Sequence, residues 1–156
     1  MSPRSPPSWG VLLRMERQRV MTRPIQPPTL RVVLDEAVLR RRIGGPAVMA
    51  EQLRHLAEAA ELPNVLLRVM PFTAGEHPGV LSGAFVVLRF PQYGEGRKSE
   101  PPTVYADGYT GDLYRDKPNE VERYDTAFEG IWKKSLTEQA SRRLITDVAG
   151  SHEQQH

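Results

Sequence analysis

The chain has 156 residues, with 21 lysines and arginines, 19 aspartates and glutamates, and no cysteine. This length suits one domain with a core of its own. A formal charge of only +2 does not indicate a nucleic-acid binder, and the missing cysteines exclude disulfides, thiolate chemistry and cysteine-based zinc sites. No apolar run approaches the roughly 20 residues that cross a bilayer, so we expect a cytoplasmic protein without a membrane contact.

The two ends of the chain differ from its middle in composition. Residues 1–10 contain three prolines and three serines, a composition typical of disorder, and we also expect a disordered tail at 150–156 (GSHEQQH). Between them the sequence predicts a single domain over 11–149. Its first element is a helix at 11–22, which a proline-rich linker (RPIQPP) separates from the rest.

The next segments predict a strand, two helices and a second strand. In TLRVVLDE (29–36) apolar residues alternate, which is typical of a strand. The following EAVLRRR predicts a short helix that Gly44 breaks. In PAVMAEQLRHLAEAAEL (46–62) a proline lies in the first turn and the apolar residues share one face of a helix. The second strand is NVLLRVMPF (64–72).

The second half of the chain predicts three more strands and two closing helices. The segment GAFVVLRFP (83–91) is apolar on both faces, which indicates a central strand, and TVYADGYTG and DLYR predict the fourth and fifth strands. Helices follow at 118–134 and 135–149, the second opened by a capping box of Ser135 and Glu138. These elements predict an α+β fold, a mostly antiparallel four- to five-stranded sheet with helices packed on it and a C-terminal helix pair.

The connection between the second and third strands contains a histidine in a polar loop. In PFTAGEHPGV (71–80), His77 lies between Glu76 and Pro78, and the proline favours an extended backbone at the histidine. Such a residue acts either as a general base or ligand contact, or as a loop residue anchored by its own ring nitrogen. Because no established catalytic motif accompanies it, we predict a shaped connection displayed on a recognition surface.

A second group of candidate residues lies where the first strand becomes a helix. The carboxylates of Asp35 and Glu36 would be stabilised there by the helix dipole, and Asp35 would cap the helix. A role in proton transfer needs a second group facing them. Arg40 opens a run of three arginines, which either grips an anionic group or forms a solvated helix face.

The fourth strand supplies the last candidates. Alternation places Tyr105 and Asp107 on one face of the strand, and Tyr109 follows. Aromatic rings beside a carboxylate are common in ligand pockets and equally common at sheet edges. The predicted ligand- or partner-contact residues are therefore Asp35, Glu36, Arg40, His77, Tyr105, Asp107 and Tyr109.

Several of these segments, taken together, resemble a known family. PPTLRVVLDEAVLRRRIGGPAVMAEQLRHL, LPNVLLRVMPFTAGEHPG, GAFVVLRFP, VYADGYTGDLY and EVERYDTAFEGIWKKSLTEQASRRLI occur in this order, as in the C-terminal domain of unknown function of actinobacterial Xre-type helix-turn-helix regulators, the WhiJ-like group. The resemblance covers residues 12–148. It implies a regulatory domain that senses a small-molecule ligand or a partner protein, in some cases a small BldB-like protein.

The chain departs from that family pattern in two ways. It lacks the helix-turn-helix and the segment, typically PGLLQT, that joins it to this domain. We therefore expect no direct DNA binding by this polypeptide alone, since it has no recognition helix to place in a groove. In addition, ADGYTG carries Asp107 where the family often has a glutamate.

Three hypotheses stay open at this point. The first is a regulatory sensor domain that shifts between states when a ligand or partner binds. The second is a stand-alone enzyme of small-molecule biosynthesis, in which His77 is the base and Asp107 or Glu36 orients it. The third is a dimerisation module with the C-terminal helices as interface. We expect no cofactor and no metal.

Overall fold

A computed structural model of the chain describes residues 28–90, 101–108 and 111–154, and residues 107, 108, 111 and 112 enter through their backbone alone. The predicted disordered start and the helix at 11–22 lie outside these residues. In chain order the elements are β1 (Leu30–Asp35), α1 (Glu36–Arg40), α2 (Pro46–Ala59), β2 (Val65–Met70), a 3-10 turn (Phe72–Ala74), α3 (Pro78–Ser82), β3 (Phe85–Leu88), β4 (Thr103–Gly108), β5 (Gly111–Arg115), α4 (Pro118–Lys134) and α5 (Glu138–Glu153).

The described residues fall into two units, each with its own sheet and helices. Unit 1 combines the chain up to Val69 with the last segment from Thr137, and unit 2 spans Met70–Leu136. The sequence predicts one domain over 11–149, and that domain count stays a prediction. The mixed helix-and-strand class is confirmed.

Unit 1 contains a two-stranded parallel sheet of β1 and β2. Helices α1 and α2 carry the chain back between these strands, which is the kind of crossover that parallel pairing requires. As predicted, α2 has Pro46 in its first turn and buries an apolar face, which packs against α5. The buried core of this unit consists of Leu39, Met49, Leu53, Ala60, Val65, Leu67, Val69, Ile145, Val148 and Ala149.

The start of α5 differs from the prediction. Its N-cap is Thr137, whose hydroxyl accepts a hydrogen bond from the Ala140 N–H (3.2 Å). Ser135 instead follows the last residue of α4, and its hydroxyl donates to the Trp132 carbonyl (2.6 Å). The predicted capping box is therefore wrong, because the serine is engaged in ending one helix and the threonine two residues later opens the next.

The end of α5 also lies further along the chain than the sequence indicates. Residues 150–153 belong to the stretch predicted to be disordered, and they continue the helix. His152 is buried, with its Nε2 atom 2.8 Å from the Leu39 carbonyl oxygen. The Arg54 Nε donates to the Glu153 carboxylate (2.7 Å). These contacts with α1 and α2 supply the packing that a polar sequence lacks by itself.

Unit 2 contains a three-stranded antiparallel sheet in the order β3-β4-β5. The central strand is β4, with Val104 and Ala106 buried, and α4 packs against β3 and β4. The predicted central position of β3 is wrong, since β3 pairs along one edge with β4 and each of its side chains is half-buried. The predicted single four- to five-stranded antiparallel sheet is also wrong, because the strands divide into a parallel pair and an antiparallel triplet.

Among the helices in the described ranges, none is long and apolar enough to cross a membrane.

Candidate functional site

The loop that contains His77 folds into two short helical segments, the 3-10 turn and α3. His77 is the N-cap of α3: its backbone is extended (φ −151°, ψ 162°), and its ring Nδ1 accepts a hydrogen bond from the Gly79 N–H (3.1 Å). The proline at position 78 favours that extended backbone. The cap satisfies one of the amide groups that the first turn of a helix leaves without a partner.

This hydrogen bond determines which ring nitrogen of His77 carries the proton. In a neutral imidazole one nitrogen donates and the other accepts. Since Nδ1 accepts from Gly79, Nε2 carries the proton. The one basic lone pair of such a ring, on Nδ1, is engaged by the Gly79 N–H, so the arrangement favours the loop-anchoring role over the general-base role.

Two glycines allow α3 to lie close to its neighbours. A Cβ atom at Gly79 would be 2.7 Å from Cε1 of His77, and a Cβ atom at Gly130 of α4 would be 3.0 Å from Cγ of Pro78. Both separations are shorter than ordinary van der Waals contacts between carbon atoms. The missing side chains therefore leave room for the capping ring and for the proline that begins α3.

A groove of about 480 Å³ opens between α3 and α4. This volume falls within the usual range for small-molecule sites. Leu81 of α3 is 94% exposed, so an apolar side chain at the groove is available to a ligand. The lining residues come from α3, the end of β5 and α4: Pro78, Leu81, Ser82, Arg115, Glu120, Arg123, Tyr124 and Ala127.

The charged residues of the groove give it a net positive charge. Arg115 Nη1 lies 3.0 Å from Glu120 Oε1, and both side chains are partly exposed. Arg123 lies three residues after Glu120 on the same face of α4 and adds a second guanidinium. Two arginines and one glutamate leave a net charge of +1. Beside them, the Tyr124 ring packs edge-on against Phe85 of β3, with centroids 5.0 Å apart.

The acidic and basic candidates of unit 1 take part in local helix contacts. The Asp35 carboxylate accepts a hydrogen bond from the Ala37 N–H (2.9 Å), which is the predicted capping role. Glu36 is buried, and its Oε2 lies 2.7 Å from Nε of Arg40 one turn further along α1. The nearest partner of this predicted anion-gripping arginine is thus a carboxylate of its own helix.

The aromatic candidates belong to the sheet of unit 2. Tyr105 packs against Tyr114 of β5, with ring centroids 4.1 Å apart. Because Val104 is buried, Tyr105 lies on the opposite face of β4. Asp107 pairs with residue 112 through the backbone, while its side chain and the whole of Tyr109 lie outside the described part of the chain.

Sequence reasoning did not single out the groove residues. Leu81, Arg115 and Arg123 come from three separate segments that only the fold brings together. Tyr124 lies in the helix predicted at 118–134, where an aromatic residue gives no signal of a binding site. One signal was available in HPGVLS (77–82). Its two apolar residues, Val80 and Leu81, follow the capping histidine but do not continue into the apolar face of a longer helix.

Unit 1 has a second depression, also of about 480 Å³, between α2 and α5. Its polar residues include Glu51, His55 and Glu58 of α2. In the described ranges, however, no group of three or more His, Cys, Asp or Glu side chains is arranged to hold a metal ion. We take the groove of unit 2 as the candidate functional site because it combines a highly exposed apolar side chain, Leu81, with charged groups.

The elements and their topology define a mixed helix-and-strand protein, with a parallel strand pair in unit 1 and an antiparallel triplet in unit 2. Residues 7–147 match the family described as a domain of unknown function, DUF5753, and the chain belongs to this family. The match spans nearly the same residues as the predicted resemblance, 12–148. Comparison with curated proteins and with solved structures gave no match.

Proposed function

We propose that this chain is the regulatory domain of an Xre-type transcriptional regulator of the actinobacterial, WhiJ-like group, acting in the cytoplasm. In this proposal it senses a small-molecule ligand or a partner protein through the groove between α3 and α4. The observation that carries the proposal is the groove itself, in which an exposed Leu81 lies near two arginines. A ligand that binds one conformation of such a surface more tightly shifts the population toward it, which is how a sensor domain acts.

The chemistry of the groove favours binding over bond breaking. A serine nucleophile needs an adjacent base, whereas the Ser82 hydroxyl donates to the Gly83 carbonyl (3.0 Å). The groove carboxylate, Glu120, is engaged by Arg115. The enzyme alternative relied on His77 as base, and the hydrogen bond at its Nδ1 opposes that role.

The dimerisation alternative receives less support from the closing helices. Ile145 and Val148 on the apolar stripe of α5 are already buried in unit 1. On α4, Val121 and Ile131 are buried as well. Because these apolar stripes are used within the chain, they do not offer a face for a second copy.

The proposal is tested by retention of a ligand or partner from native lysate. The purified chain is immobilised, and retained proteins and small molecules are identified by mass spectrometry. Two variants accompany it: Leu81→Asp, which places a charge in the groove, and Ile43→Asp, which makes the same kind of change at another exposed apolar residue (70% exposed). We expect a component that the wild type and Ile43→Asp retain and that Leu81→Asp loses.

Two results would count against the sensing role. If Leu81→Asp retains the same components as the wild type while remaining folded by circular dichroism, the groove is not the site. If a retained small molecule is converted into a product during incubation with the pure chain, the enzyme hypothesis is favoured instead.

A further inference from the structure

We infer that the groove between α3 and α4 binds a small monocarboxylate that carries an apolar chain or ring. This inference rests on the proposed sensing role and names the chemical class of the ligand. It follows from three features of the groove: its net charge, the position of an arginine that is open to an anion, and its apolar wall.

The net charge of the groove favours a ligand that carries a single negative charge. Of its two arginines, Arg115 already shares a hydrogen-bonded ion pair with Glu120 (3.0 Å). Within the part of the chain that the structure describes, Arg123 forms no ion pair, and its side chain is exposed. A carboxylate matches the planar fork of a guanidinium and forms two parallel hydrogen bonds with it. One such group brings the local charge from +1 to zero, whereas a phosphate monoester would leave an excess of negative charge beside Glu120.

The other wall of the groove is apolar. Pro78 and Leu81 of α3, together with Ala127 of α4, supply its apolar lining, and Leu81 is almost fully exposed. Burial of this leucine by a hydrocarbon chain or an aromatic ring removes apolar surface from water, which favours binding. The ligand therefore needs an apolar part as well as its carboxylate.

The dimensions and rigidity of the groove also suit a small ligand. Its volume of about 480 Å³ lies in the lower half of the range for small-molecule sites. The first turn of α3 is held by the cap from His77, and the Lys134 Nζ donates to the Glu76 carbonyl just before it (2.7 Å). A wall fixed in this way loses little conformational freedom when a ligand binds.

The test uses the purified full chain and isothermal titration calorimetry with two probes, octanoate and 4-phenylbutyrate. Their neutral amides, octanamide and 4-phenylbutanamide, have nearly the same shape and lack the charge, and inorganic phosphate tests the charge without the apolar part. We expect saturable binding of at least one acid, binding of its amide at least tenfold weaker, and no binding of phosphate.

Two variants locate the site. Arg123→Gln removes the guanidinium that we assign to the carboxylate, and we expect it to weaken binding of the acid about tenfold, which corresponds to loss of a charge-assisted hydrogen bond. Arg142→Gln makes the same change at an exposed arginine of α5 in unit 1, and we expect it to leave the affinity unchanged. Equal binding of acid and amide, or equal affinity of Arg123→Gln and the wild type, overturns the inference.

The outcome separates this inference from the proposed function on which it rests. If neither acid binds but the lysate yields a component whose retention depends on Leu81, the monocarboxylate assignment fails and the sensing role stands. A retained phosphate compound or acidic protein would give that result. If no acid binds and no component is retained through the groove, both fail.

Discussion

A single buried hydroxyl links the sheet and the last helix of unit 1. Ser141 of α5 has no exposed surface, and its Oγ accepts a hydrogen bond from the Val69 N–H of β2 (2.8 Å). Val69 is itself fully buried. The amide at this edge of the parallel pair is thus satisfied by a helix side chain. Replacing Ser141 with alanine keeps the helix and removes the acceptor.

The expected cost follows from two opposing terms. Leaving a buried backbone N–H without a partner costs about 2 kcal/mol. Alanine is the better helix former by about 0.5 kcal/mol, so the net loss of unfolding free energy for Ser141→Ala is about 1.5 kcal/mol. In a chain of this size, about 1 kcal/mol corresponds to roughly 3 °C in Tm, so we expect Tm to fall by roughly 4–5 °C.

The matched control is Ser151→Ala, the same substitution on the same helix at an exposed position. It gains the helix propensity of alanine and loses no buried hydrogen bond, so its stability should equal or slightly exceed that of the wild type. Urea unfolding followed by circular dichroism measures both variants, and hydrogen exchange at the Val69 amide reports the contact directly. If Ser141→Ala is as stable as Ser151→Ala and Val69 stays protected, the hydroxyl is not the acceptor that secures this edge.

Three further predictions can be measured by the same urea titrations. Ile145→Ala empties a fully buried core position and should cost about 2–5 kcal/mol, whereas Ile43→Ala at an exposed position should change stability by less than about 0.5 kcal/mol; similar losses would contradict the core assignment. Gly79→Ala should destabilise the chain because its Cβ would meet the His77 ring, whereas Gly150→Ala, with open space around it, should stabilise it by about 0.5–1 kcal/mol. His77→Ala should cost about 1 kcal/mol through loss of the cap, and His77→Asn, which keeps an acceptor, should recover most of it; equal losses would show that the cap does not stabilise α3.

The helices and strands of the described residues could be predicted because their signals are local. Helix α4 was predicted with both of its bounds, Pro118 and Lys134, since proline marks its first turn and a charged, periodic segment follows. The pairing of the strands is a non-local property: the antiparallel pairing of β3, β4 and β5 agrees with the expected mostly antiparallel sheet, but the single sheet was wrong because β1 and β2 form a separate parallel pair. One signal was nevertheless present, because two helices between β1 and β2 are typical of a crossover between parallel strands.

The candidate site was predictable only in part, because some of its contacts are local in sequence and others are not. The alternative in which His77 anchors its own loop agrees with the hydrogen bond to Gly79, and it depends on residues two positions apart. The groove depends on Leu81 together with Arg115 and Arg123, and Leu81 is too far from the two arginines along the chain for one short motif to contain all three. Segments this far apart become neighbours through the antiparallel hairpin and the helix that follows it, which composition and periodicity do not specify.

The residues of the loop at 77–81 determine where α3 lies beside the groove, because several of them meet separate steric or hydrogen-bonding requirements. Pro78 fixes the first turn of α3, and His77 caps that turn with an accepting nitrogen. Gly79 leaves space for the capping ring, and Gly130 leaves space for the proline ring against α4. The result is a short helix whose position is set at its first turn, while Leu81 in its last turn remains exposed at the groove. We therefore expect His77 to influence a ligand of the proposed groove only as a positioning residue, through the orientation of α3, so that its substitution alters affinity by moving the apolar wall rather than by removing a contact.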